Sequence, residues 1–546
     1  MTSSAMTDWN IANALRQTTA RQPDQTALVS GKNGHYTFWS FRELLDATDR
    51  FAATLAAQKV ERGQRVMLMV RPSPEFIALS FALFQLGAVV ILIDPGMGYA
   101  NLLRCIGAVK PRVLIAIPQV LTVSHFFRKP FRTVQHRFCV GGGPTMPWKN
   151  LSRLSQKHKA NFTPVPAGRQ DAAAIIFTTG STGPPKGVCY NHGTFFSQLE
   201  LIGDSFGIGP GDVDQPGFPL FALFSTALGA SAVIPDMDPT RPAQVDPKKF
   251  VRSILDHRVT YSFGSPAIWK VVAGYCRSRG LTLPLKKILM AGAPVSGELV
   301  QQVREIMGPK GEVYTPYGAT ECLPVSAISG QEIIQETWPL TQQGRGTCVG
   351  RALPSMEIDI IAPEDGAIAD WQRVTRLPRG EIGEIVVKGP VVTPGYDNNP
   401  QETQMAKIPD GPDIRHRMGD MGYLDEQGRL WFCGRKAHRV HTENGVMDTI
   451  CCEAIFNQHP KVLRSALVGV GPRGSQLPVL IVELQEKGAD TGQFFAQLRD
   501  LGRQYAHTRA ITHFLVHPGF PVDIRHNAKI FREKLAVWAA KQLKGK

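Results

Sequence analysis

The sequence predicts an α/β protein with a large N-terminal domain of doubly wound sheets, a β-rich subdomain and a small α+β C-terminal domain. The chain has 546 residues, which is more than one hydrophobic core usually serves, so we expect more than one domain. Over the first four-fifths, short runs that are apolar throughout alternate with helical patterns. Such runs are typical of parallel strands that are buried on both faces.

The predicted parallel strands are apolar runs that end in turn residues. They lie at 88–93, 113–116, 172–177 and 287–291, and a helix is predicted over 75–86. Ligands of doubly wound folds bind at the carboxyl ends of the strands. Two stretches occupy that position, namely the loop after residue 177 and the turn formed by Gly292, Ala293 and Pro294.

The pattern changes from about residue 354, where shorter β elements are separated by turn residues. We predict a β-rich subdomain over about 354–434, with strands at 356–361, 384–388 and 429–433. A compact α+β pattern follows, with helices at 450–458, at 491–506 and from 530, and strands at 466–470 and 479–484. We therefore expect an N-terminal domain over 1–434, a hinge at 435–438 and a C-terminal domain over 439–546.

Composition limits the class of protein. The net charge of +15 attracts anions, and ATP, a fatty carboxylate, an acidic protein and an anionic lipid surface all fit it. Nucleic acid is not expected, because no recognition motif accompanies the charge. The nine cysteines lack metal-ligand spacing, and the first ten residues lack a signal pattern, so we expect a reducing cytoplasm.

The segment 120–132 mixes apolar and basic residues. We interpret it as an ordinary surface element with contacts to the core. Contact with a membrane or an acyl chain is the alternative, because basic and apolar residues together suit a lipid surface.

The loop after the apolar run 172–177 has the composition of a phosphate-binding loop. Its candidate binding residues are Thr178, Thr179, Gly180, Ser181, Thr182, Gly183 and Lys186. Glycine lets the backbone N–H groups approach an anion, while hydroxyls add donors and lysine adds a positive charge. The loop is not a Walker A motif, because the glycine-lysine-serine/threonine ending is missing. A flexible Gly/Ser linker does not explain the preceding strand or the lysine.

This loop resembles the first signature of the acyl-adenylate-forming superfamily, which contains acyl-CoA synthetases, adenylation domains of peptide synthetases and beetle luciferases. The resemblance implies a reaction in which a carboxylate is joined to the α-phosphate of ATP and pyrophosphate leaves. It extends over nearly the whole chain, from Tyr36 to Leu535. It also implies that the small C-terminal domain moves between the poses of two half-reactions.

The stretch Tyr317, Gly318, Ala319, Thr320 and Glu321 is similar to the second signature of the family. The resemblance implies that the threonine contacts the α-phosphate, the glutamate binds Mg²⁺ and the tyrosine stacks on adenine. A carboxylate is a suitable ligand for a hard cation. The turn at Gly292, Ala293 and Pro294 resembles the adenine-side loop.

Three further residues match functional positions of the family. The resemblance implies that Asp420 binds the ribose hydroxyls, that Arg435 serves the ribose and the hinge, and that Lys529 bridges the carboxylate and the α-phosphate. The glycine that usually precedes this lysine is Ala528. His192, five residues after Gly187, either helps to close the phosphate site or is a histidine at a helix start with no role.

The second half-reaction is indicated by departures from the family pattern. Ala437, His441 and Asn444 replace residues that relatives use when a thiol accepts the acyl group, and Ala222 occupies the position of a bulkier gate. We expect a second step without coenzyme A and more room beside the carboxylate. A hydroxyl on the same acyl chain could attack its own adenylate, because tethering raises its effective concentration.

The chain resembles the olefin β-lactone synthetases of bacterial long-chain hydrocarbon biosynthesis, especially at 93–98 and 525–530. This resemblance implies a long-chain 2-alkyl-3-hydroxy acid as substrate, with ATP and Mg²⁺ as cofactors. It also implies a multi-enzyme complex with a β-lactone decarboxylase and a reductase, in the cytoplasm or held at a membrane through that assembly. Two alternatives stay open, a long-chain fatty acyl-CoA ligase and a non-catalytic nucleotide-binding scaffold.

Overall fold

The computed structural model describes residues 8–32, 34–141, 148–177, 184–486, 491–522 and 530–544. The strands among these residues are, in chain order, β1 (Thr26–Lys32), β2 (His35–Ser40), β3 (Arg65–Met69), β4 (Val89–Leu92), β5 (Val113–Ala116), β6 (His136–Cys139), β7 (Lys149–Asn150), β8 (Ala172–Phe177), β9 (Gly187–Asn191), β10 (Val213–Asp214), β11 (Ser231–Ile234), β12 (Tyr261–Gly264), β13 (Lys287–Met290), β14 (Glu312–Ala319), β15 (Cys322–Ser329), β16 (Thr347–Ala352), β17 (Glu357–Ile361), β18 (Gly383–Lys388), β19 (Gly395–Tyr396), β20 (Lys407–Asp410), β21 (Asp413–Leu424), β22 (Leu430–Arg435), β23 (Val440–Thr442), β24 (Gly445–Met447), β25 (Val462–Val470), β26 (Leu477–Leu484) and β27 (His513–Val516).

The α-helices of the same residues are α1 (Ala12–Arg21), α2 (Phe41–Ala57), α3 (Pro74–Gln85), α4 (Tyr99–Val109), α5 (Pro118–Phe126), α6 (Leu151–Ser155), α7 (His192–Phe206), α8 (Phe221–Leu228), α9 (Pro247–Asp256), α10 (Pro266–Arg277), α11 (Gly297–Glu305), α12 (Gly330–Glu332), α13 (Trp338–Gln342), α14 (Pro400–Ala406), α15 (Thr449–Phe456), α16 (Thr491–Arg503) and α17 (Arg532–Lys544). A π-helical segment, Ile333–Thr337, joins α12 to α13.

An eight-stranded sheet forms the first layer and confirms three of the four predicted parallel strands, and the fourth, at 287–291, is β13 of the second sheet. The order of the first sheet is β19-β9-β8-β4-β3-β5-β6-β7, and the six strands from β8 to β7 are parallel. Helices α2 and α3 cover one face and α4 and α5 the other, so the strands are apolar throughout. Helix α3 begins where the sequence marks it, since Ser73 accepts a hydrogen bond from the Phe76 N–H and Pro74 takes the first turn.

A fourteen-stranded sheet forms the second layer. Its order is β17-β18-β21-β22-β16-β15-β14-β13-β12-β10-β11-β1-β2, with β20 paired to β21. The middle strands from β14 to β1 are parallel, and the strands on either side are antiparallel. Strand β16 pairs with both β15 and β22, so the strands predicted as a β-rich subdomain continue the long sheet. The predicted α/β fold is confirmed, while the domain limits stay a prediction.

The C-terminal part is an α+β unit around a three-stranded sheet in the order β25-β26-β27. Helices α15 and α16 pack on one face of this sheet, and α17 packs on the other. A buried ion pair joins the two sides, because the Arg532 guanidinium donates to both carboxylate oxygens of Glu453 at 3.0 and 2.5 Å. A short 3-10 turn, Lys436–His438, lies at the predicted hinge.

Two further observations concern the whole described chain. No described helix combines the length and the apolar character that crossing a membrane requires. All nine cysteines are free thiols, and eight of them are buried.

Candidate active site

One cavity of about 2390 Å³ lies between the two large sheets and the C-terminal part. Eleven of the predicted site residues line it, although they come from distant parts of the sequence. They are Lys186, Gly292, Ala293, Pro294, Tyr317, Gly318, Ala319, Thr320, Glu321, Asp420 and Arg435. The structure therefore brings most of the predicted site together at one place.

Seven predicted site residues lie outside the described residues. They are Thr178, Thr179, Gly180, Ser181, Thr182, Gly183 and Lys529. Three of the four described residues that border these two stretches, Phe177, Pro184 and Ile530, line the cavity.

A tight hairpin positions Thr320 and Glu321. These two residues form the turn between β14 and β15, because Ala319 pairs directly with Cys322. The Thr320 carbonyl accepts a hydrogen bond from the Tyr190 hydroxyl at 2.5 Å. The Glu321 carbonyl accepts hydrogen bonds from both the N–H and the hydroxyl of Thr393, at 3.0 and 2.9 Å. With its backbone held in this way, Glu321 keeps its side chain at the cavity wall.

The Glu321 carboxylate belongs to a chain of charged and aromatic groups. Its Oε1 accepts a hydrogen bond from the Tyr396 hydroxyl at 2.9 Å. The Lys186 ammonium lies 5.1 Å from the Tyr396 ring centroid and 2.5 Å from a carboxylate oxygen of Glu402. Burial raises the pKa of Tyr396, and the negative charge of Glu321 raises it further. The tyrosine therefore stays protonated and donates to the glutamate.

The donor set near Glu321 fits a magnesium ion that is shared with phosphates. Mg²⁺ is usually held by one or two carboxylates together with substrate phosphates and water. Among the described residues, no group of three or more His, Cys, Asp and Glu side chains could hold a metal alone. Glu321 could supply one protein ligand, and the remaining ligands would come from the nucleotide and water.

Asp420 is a buried carboxylate with two fixed partners. The Tyr317 hydroxyl donates to Oδ2 at 2.6 Å, and an Nη atom of Arg435 lies 3.0 Å from Oδ1. Asp420 and Arg435 face each other because they are paired in the register of β21 and β22. The charge of Asp420 raises the pKa of Arg435. A carboxylate held in this way can accept hydrogen bonds from ligand hydroxyls.

The turn at Gly292 follows directly from β13 and lines the same cavity. Gly292 has a φ of +95°, a backbone conformation that side-chain-bearing residues rarely adopt. Glycine at this position lets the chain turn sharply at the carboxyl end of the strand.

His192 is placed differently from the other predicted residues. It is the first residue of α7, is 1% exposed and is not part of the cavity lining. Its Nδ1 accepts a hydrogen bond from the Ile11 N–H at 3.1 Å, and burial lowers its pKa to about 4. The ring is therefore neutral at pH 7, and its predicted catalytic role stays a prediction.

Ala222 does not widen the cavity as its small size had suggested. It is fully buried in the N-terminal core, while its neighbours Phe221 and Leu223 line the cavity. Phe221 stacks on Phe263 with ring centroids 3.7 Å apart. The helical position of residue 222 turns its side chain away from the ligand space.

Sequence reasoning missed several residues of the site. Tyr396 and Glu402 contact Glu321 and Lys186 only because β19 and α14 lie beside β9 and the hairpin. Lys407 is buried behind Glu321, with its ammonium 3.4 Å from the Thr393 hydroxyl. Burial lowers the pKa of Lys407 to about 8, although Cys322 and Glu321 oppose this shift. No local sequence signal marks these residues.

The rest of the cavity wall is largely apolar. Helix α7 presents one stripe to it, at a spacing of three and four residues, formed by Phe195, Gln198, Leu199, Ile202 and Phe206. Helix α8 adds Phe221, Leu223, Phe224 and Leu228. This part of the cavity, the apolar chamber, suits an alkyl chain.

Gln198 is the one polar side chain in the α7 stripe. Its amide N–H donates to the Leu323 carbonyl at 2.9 Å. Because the Leu323 carbonyl oxygen can only accept, the amide atom that faces it is Nε2. The other amide atom, the acceptor Oε1, does not take part in this bond. Oε1 is buried and has no hydrogen-bond partner among the described residues.

The fold and this arrangement define an enzyme that activates acids with a nucleotide. The sequence profile of the AMP-binding enzyme family matches residues 15–397, and the chain belongs to this family. It is a ligase of the acyl-adenylate-forming class and uses ATP, as its sequence predicts.

Two relatives are similar over nearly their whole length. The chain is 46% identical to an olefin β-lactone synthetase of Xanthomonas campestris pv. campestris, over 98% of both chains. It is 44% identical to an olefin β-lactone synthetase of Stenotrophomonas maltophilia, again over 98% of both. A long-chain-fatty-acid–CoA ligase of Thermus thermophilus is 26% identical over 81% of this chain and 80% of the relative.

Solved structures agree on the fold. The amide bond synthetase McbA from Marinactinospora thermotolerans superposes with a TM-score of 0.80 at 22% identity, over 97% of this chain and 99% of McbA. The anthranilate CoA ligase AuaEII, in complex with anthranoyl-AMP, gives a TM-score of 0.81 at 18% identity over all of both chains. At these identities the likeness concerns the fold alone.

Proposed function

We propose that the protein adenylates a long-chain 2-alkyl-3-hydroxy acid and then closes it to a β-lactone, releasing AMP and pyrophosphate. The observation that carries the proposal is the continuity of one cavity, in which a charged end leads directly into the apolar chamber. The two relatives at 46% and 44% identity support the second step, because both are named olefin β-lactone synthetases.

The charged end suits a nucleotide. Asp420, held by Tyr317 and Arg435, would accept hydrogen bonds from the ribose hydroxyls. Glu321 would hold Mg²⁺ together with the phosphates, and the bound ion would offset their negative charge. Lys186 and Lys529 would add positive charge near the phosphates, where charge builds up in the transition state.

Both bond changes balance without a further reactant. In the first step a carboxylate oxygen attacks the α-phosphorus of ATP, and pyrophosphate leaves. In the second step the 3-hydroxyl oxygen attacks the acyl carbon, the bond to the phosphate oxygen breaks, and the departing AMP takes up the proton. The attacking oxygen is tethered to the electrophile, which raises its effective concentration. A cavity closed to water protects the mixed anhydride.

Gln198 supports the choice of a hydroxy acid. Its unpaired Oε1 is an acceptor in the α7 stripe, whose other side chains are apolar. A buried acceptor without a donor is unfavourable by about 1–3 kcal/mol, and a hydroxyl on the acyl chain would supply the missing donor. A plain fatty acid carries no such group.

The hinge region supports a second step without a thiol. Ala437 and His441 line the cavity at positions where thiol-using relatives usually carry other residues. An acyl-CoA ligase, as in the Thermus thermophilus relative, is the competing function, because it shares the first half-reaction.

The product chemistry indicates the neighbouring enzymes. Loss of carbon dioxide from a β-lactone yields an olefin, so a β-lactone decarboxylase would consume the product. A reductase that converts a 3-oxo acid into the 3-hydroxy acid would supply the substrate. We propose that the protein works in one assembly with these two enzymes.

An assay of AMP release tests the proposal. Purified protein receives ATP, Mg²⁺ and either a 2-alkyl-3-hydroxy acid or the matched acid without the hydroxyl, with and without coenzyme A. We expect AMP from the hydroxy acid at a rate that coenzyme A does not change. Thioester formation would favour the ligase, and no AMP in any reaction would favour a non-catalytic scaffold.

A further inference from the structure

The stretch between Asp94 and Asp171 has an unusual charge. It contains twelve lysines and arginines and not one aspartate or glutamate, so it accounts for most of the net charge of +15. Eleven of the twelve side chains are exposed, and Arg137 is half-buried. None of them forms an ion pair within the described part of the chain. This basic stretch therefore presents uncompensated positive charge to the solvent.

Helix α5, in the middle of the basic stretch, carries an exposed apolar stripe. Its inner side chains Leu121 and Ser124 are buried, whereas Val123 is 42%, Phe126 77% and Phe127 49% exposed. Val120 and Val123 are three residues apart and share one face of the helix, and Phe127 is the residue at which the helix ends. Neighbouring exposed apolar side chains that are rimmed by polar residues are typical of protein or membrane interaction sites.

The exposed stripe is continuous with the substrate cavity. Ile117, just before α5, and Val120, in its first turn, both line the cavity. Exposed apolar side chains therefore lead from the cavity rim at Val120, past Val123, to Phe127 at the end of the helix. Arg128, Lys129 and Arg132 follow directly and are all exposed. Apolar side chains next to clustered cations are typical of elements that lie in the interface of an anionic membrane.

We propose that α5 and the basic residues after it dock the protein on an anionic lipid surface, with Phe126 and Phe127 inserted among the acyl chains. Charge complementarity favours an anionic partner, and the exposed rings favour lipid over nucleic acid or an acidic protein. This preference for lipid rests on the proposed function, since a long-chain acid is itself a membrane lipid. The segment 120–132, which we interpreted from the sequence as an ordinary surface element, would then bind lipid.

Vesicle sedimentation tests the proposal and is independent of catalysis, because neither ATP nor acid is added. The full-length protein is mixed with vesicles of phosphatidylcholine alone or with about one third phosphatidylglycerol. We expect binding to the anionic vesicles to be roughly tenfold stronger or more, because several cations act together. About 1 M salt, where the Debye length is ~3 Å, should remove most of this difference.

Three variants assign the binding to this surface. Phe126→Ser with Phe127→Ser should weaken binding to both vesicle types, and Arg128→Glu with Lys129→Glu and Arg132→Glu should abolish the preference for anionic vesicles. Lys248→Glu with Leu255→Ser, on the exposed face of α9, is the matched control and should bind as the wild type does. Each variant is checked by its melting temperature.

Equal binding to both vesicle types, or no binding to either, would overturn the proposal. Wild-type binding by both α5 variants would overturn it as well. Saturable binding to an acidic protein or to nucleic acid without binding to vesicles would assign the surface to that class of partner instead.

Discussion

We expect the first half-reaction to depend more on the positive charge of Lys529 than on any other single charge. We expect Lys529→Ala to slow adenylate formation by about 10²- to 10³-fold while ATP still binds, because the lost charge acts mainly in the transition state. Pyrophosphate exchange measures the rate, and equilibrium dialysis measures ATP binding. Lys534→Ala, at an exposed position of α17, is the control. A parallel loss of ATP affinity would contradict the assigned role.

We expect Gln198 to discriminate between a hydroxy acid and its deoxy analogue. Wild-type protein should prefer the hydroxy acid, and Gln198→Leu should reduce the ratio of the two kcat/KM values by about 5- to 100-fold, since one unpaired polar group is worth about 1–3 kcal/mol. Leu199→Met, which also lines the cavity, should keep the ratio. A proportional loss for both acids would reduce Gln198 to a structural role.

His192 predicts a pH dependence of stability. Its pKa is about 4 in the folded protein and about 6.5 when unfolded, so only the unfolded state gains a proton between these values. Stability is therefore unaffected above pH 6.5 and falls by about 3 kcal/mol as the pH drops towards 4. Urea unfolding of wild type and His192→Asn at several pH values measures the difference.

The same variant tests the catalytic alternative for His192. If the histidine serves the phosphate site, His192→Asn raises the KM for ATP at pH 7.5. An unchanged KM with a reduced acid dependence of unfolding assigns the ring to the packing between α1 and α7.

At the scale of elements, the hairpin β14–β15 and helix α7 form different parts of the cavity. The hairpin turn holds Thr320 and Glu321 at the charged end, while the α7 stripe walls the apolar chamber. Gln198 lies at the junction, because it is bonded to Leu323 at the start of β15. The geometry of the reacting groups thus depends on how α7 packs against the hairpin.

A bulky side chain on α7 should shorten the chamber. We expect Ile202→Trp to lower kcat/KM for a long-chain acid by about tenfold or more, because overpacking costs about 1–3 kcal/mol. A short-chain acid and ATP should be affected little. Glu200→Trp, on the exposed face of the same helix, is the control. An equal loss for all acids would place the acyl chain elsewhere.

Local signals explain what the sequence could predict. The apolar run 172–177 and the strand before Gly292 follow from nearby residues, and both were predicted correctly as elements. Tyr396 and Glu402 could not be predicted, because their role depends on sheet pairing. Glu402 lies 216 residues from Lys186, and neither is marked by its neighbours.

Ala222 shows a further limit of sequence reasoning. Its position in the chain suggested more room beside the carboxylate. The side chain instead packs in the core, because residue 222 lies on the buried face of α8. Whether a helical residue reaches the ligand depends on the face of the helix on which it lies. Comparing a single residue with the family pattern does not reveal that face.

At the scale of the whole molecule, two large sheets enclose one cavity and the C-terminal part closes it. Arg473, Gln476 and Ile530 extend the cavity wall beyond the hinge turn. A reaction through an anhydride needs such closure, because bulk water would hydrolyse the intermediate. The basic stretch with α5 lies at another rim of the same cavity, which gives a lipid acid a short route from a membrane to the nucleotide.

Mass spectrometry of the product tests the central claim most directly. The protein is incubated with ATP, Mg²⁺, coenzyme A and a 2-alkyl-3-hydroxy acid, and the lipid product is extracted. We expect a compound with the mass of the acid less one water, formed in equal amount to AMP. A coenzyme A thioester, or unchanged acid after AMP release, would contradict closure of the lactone.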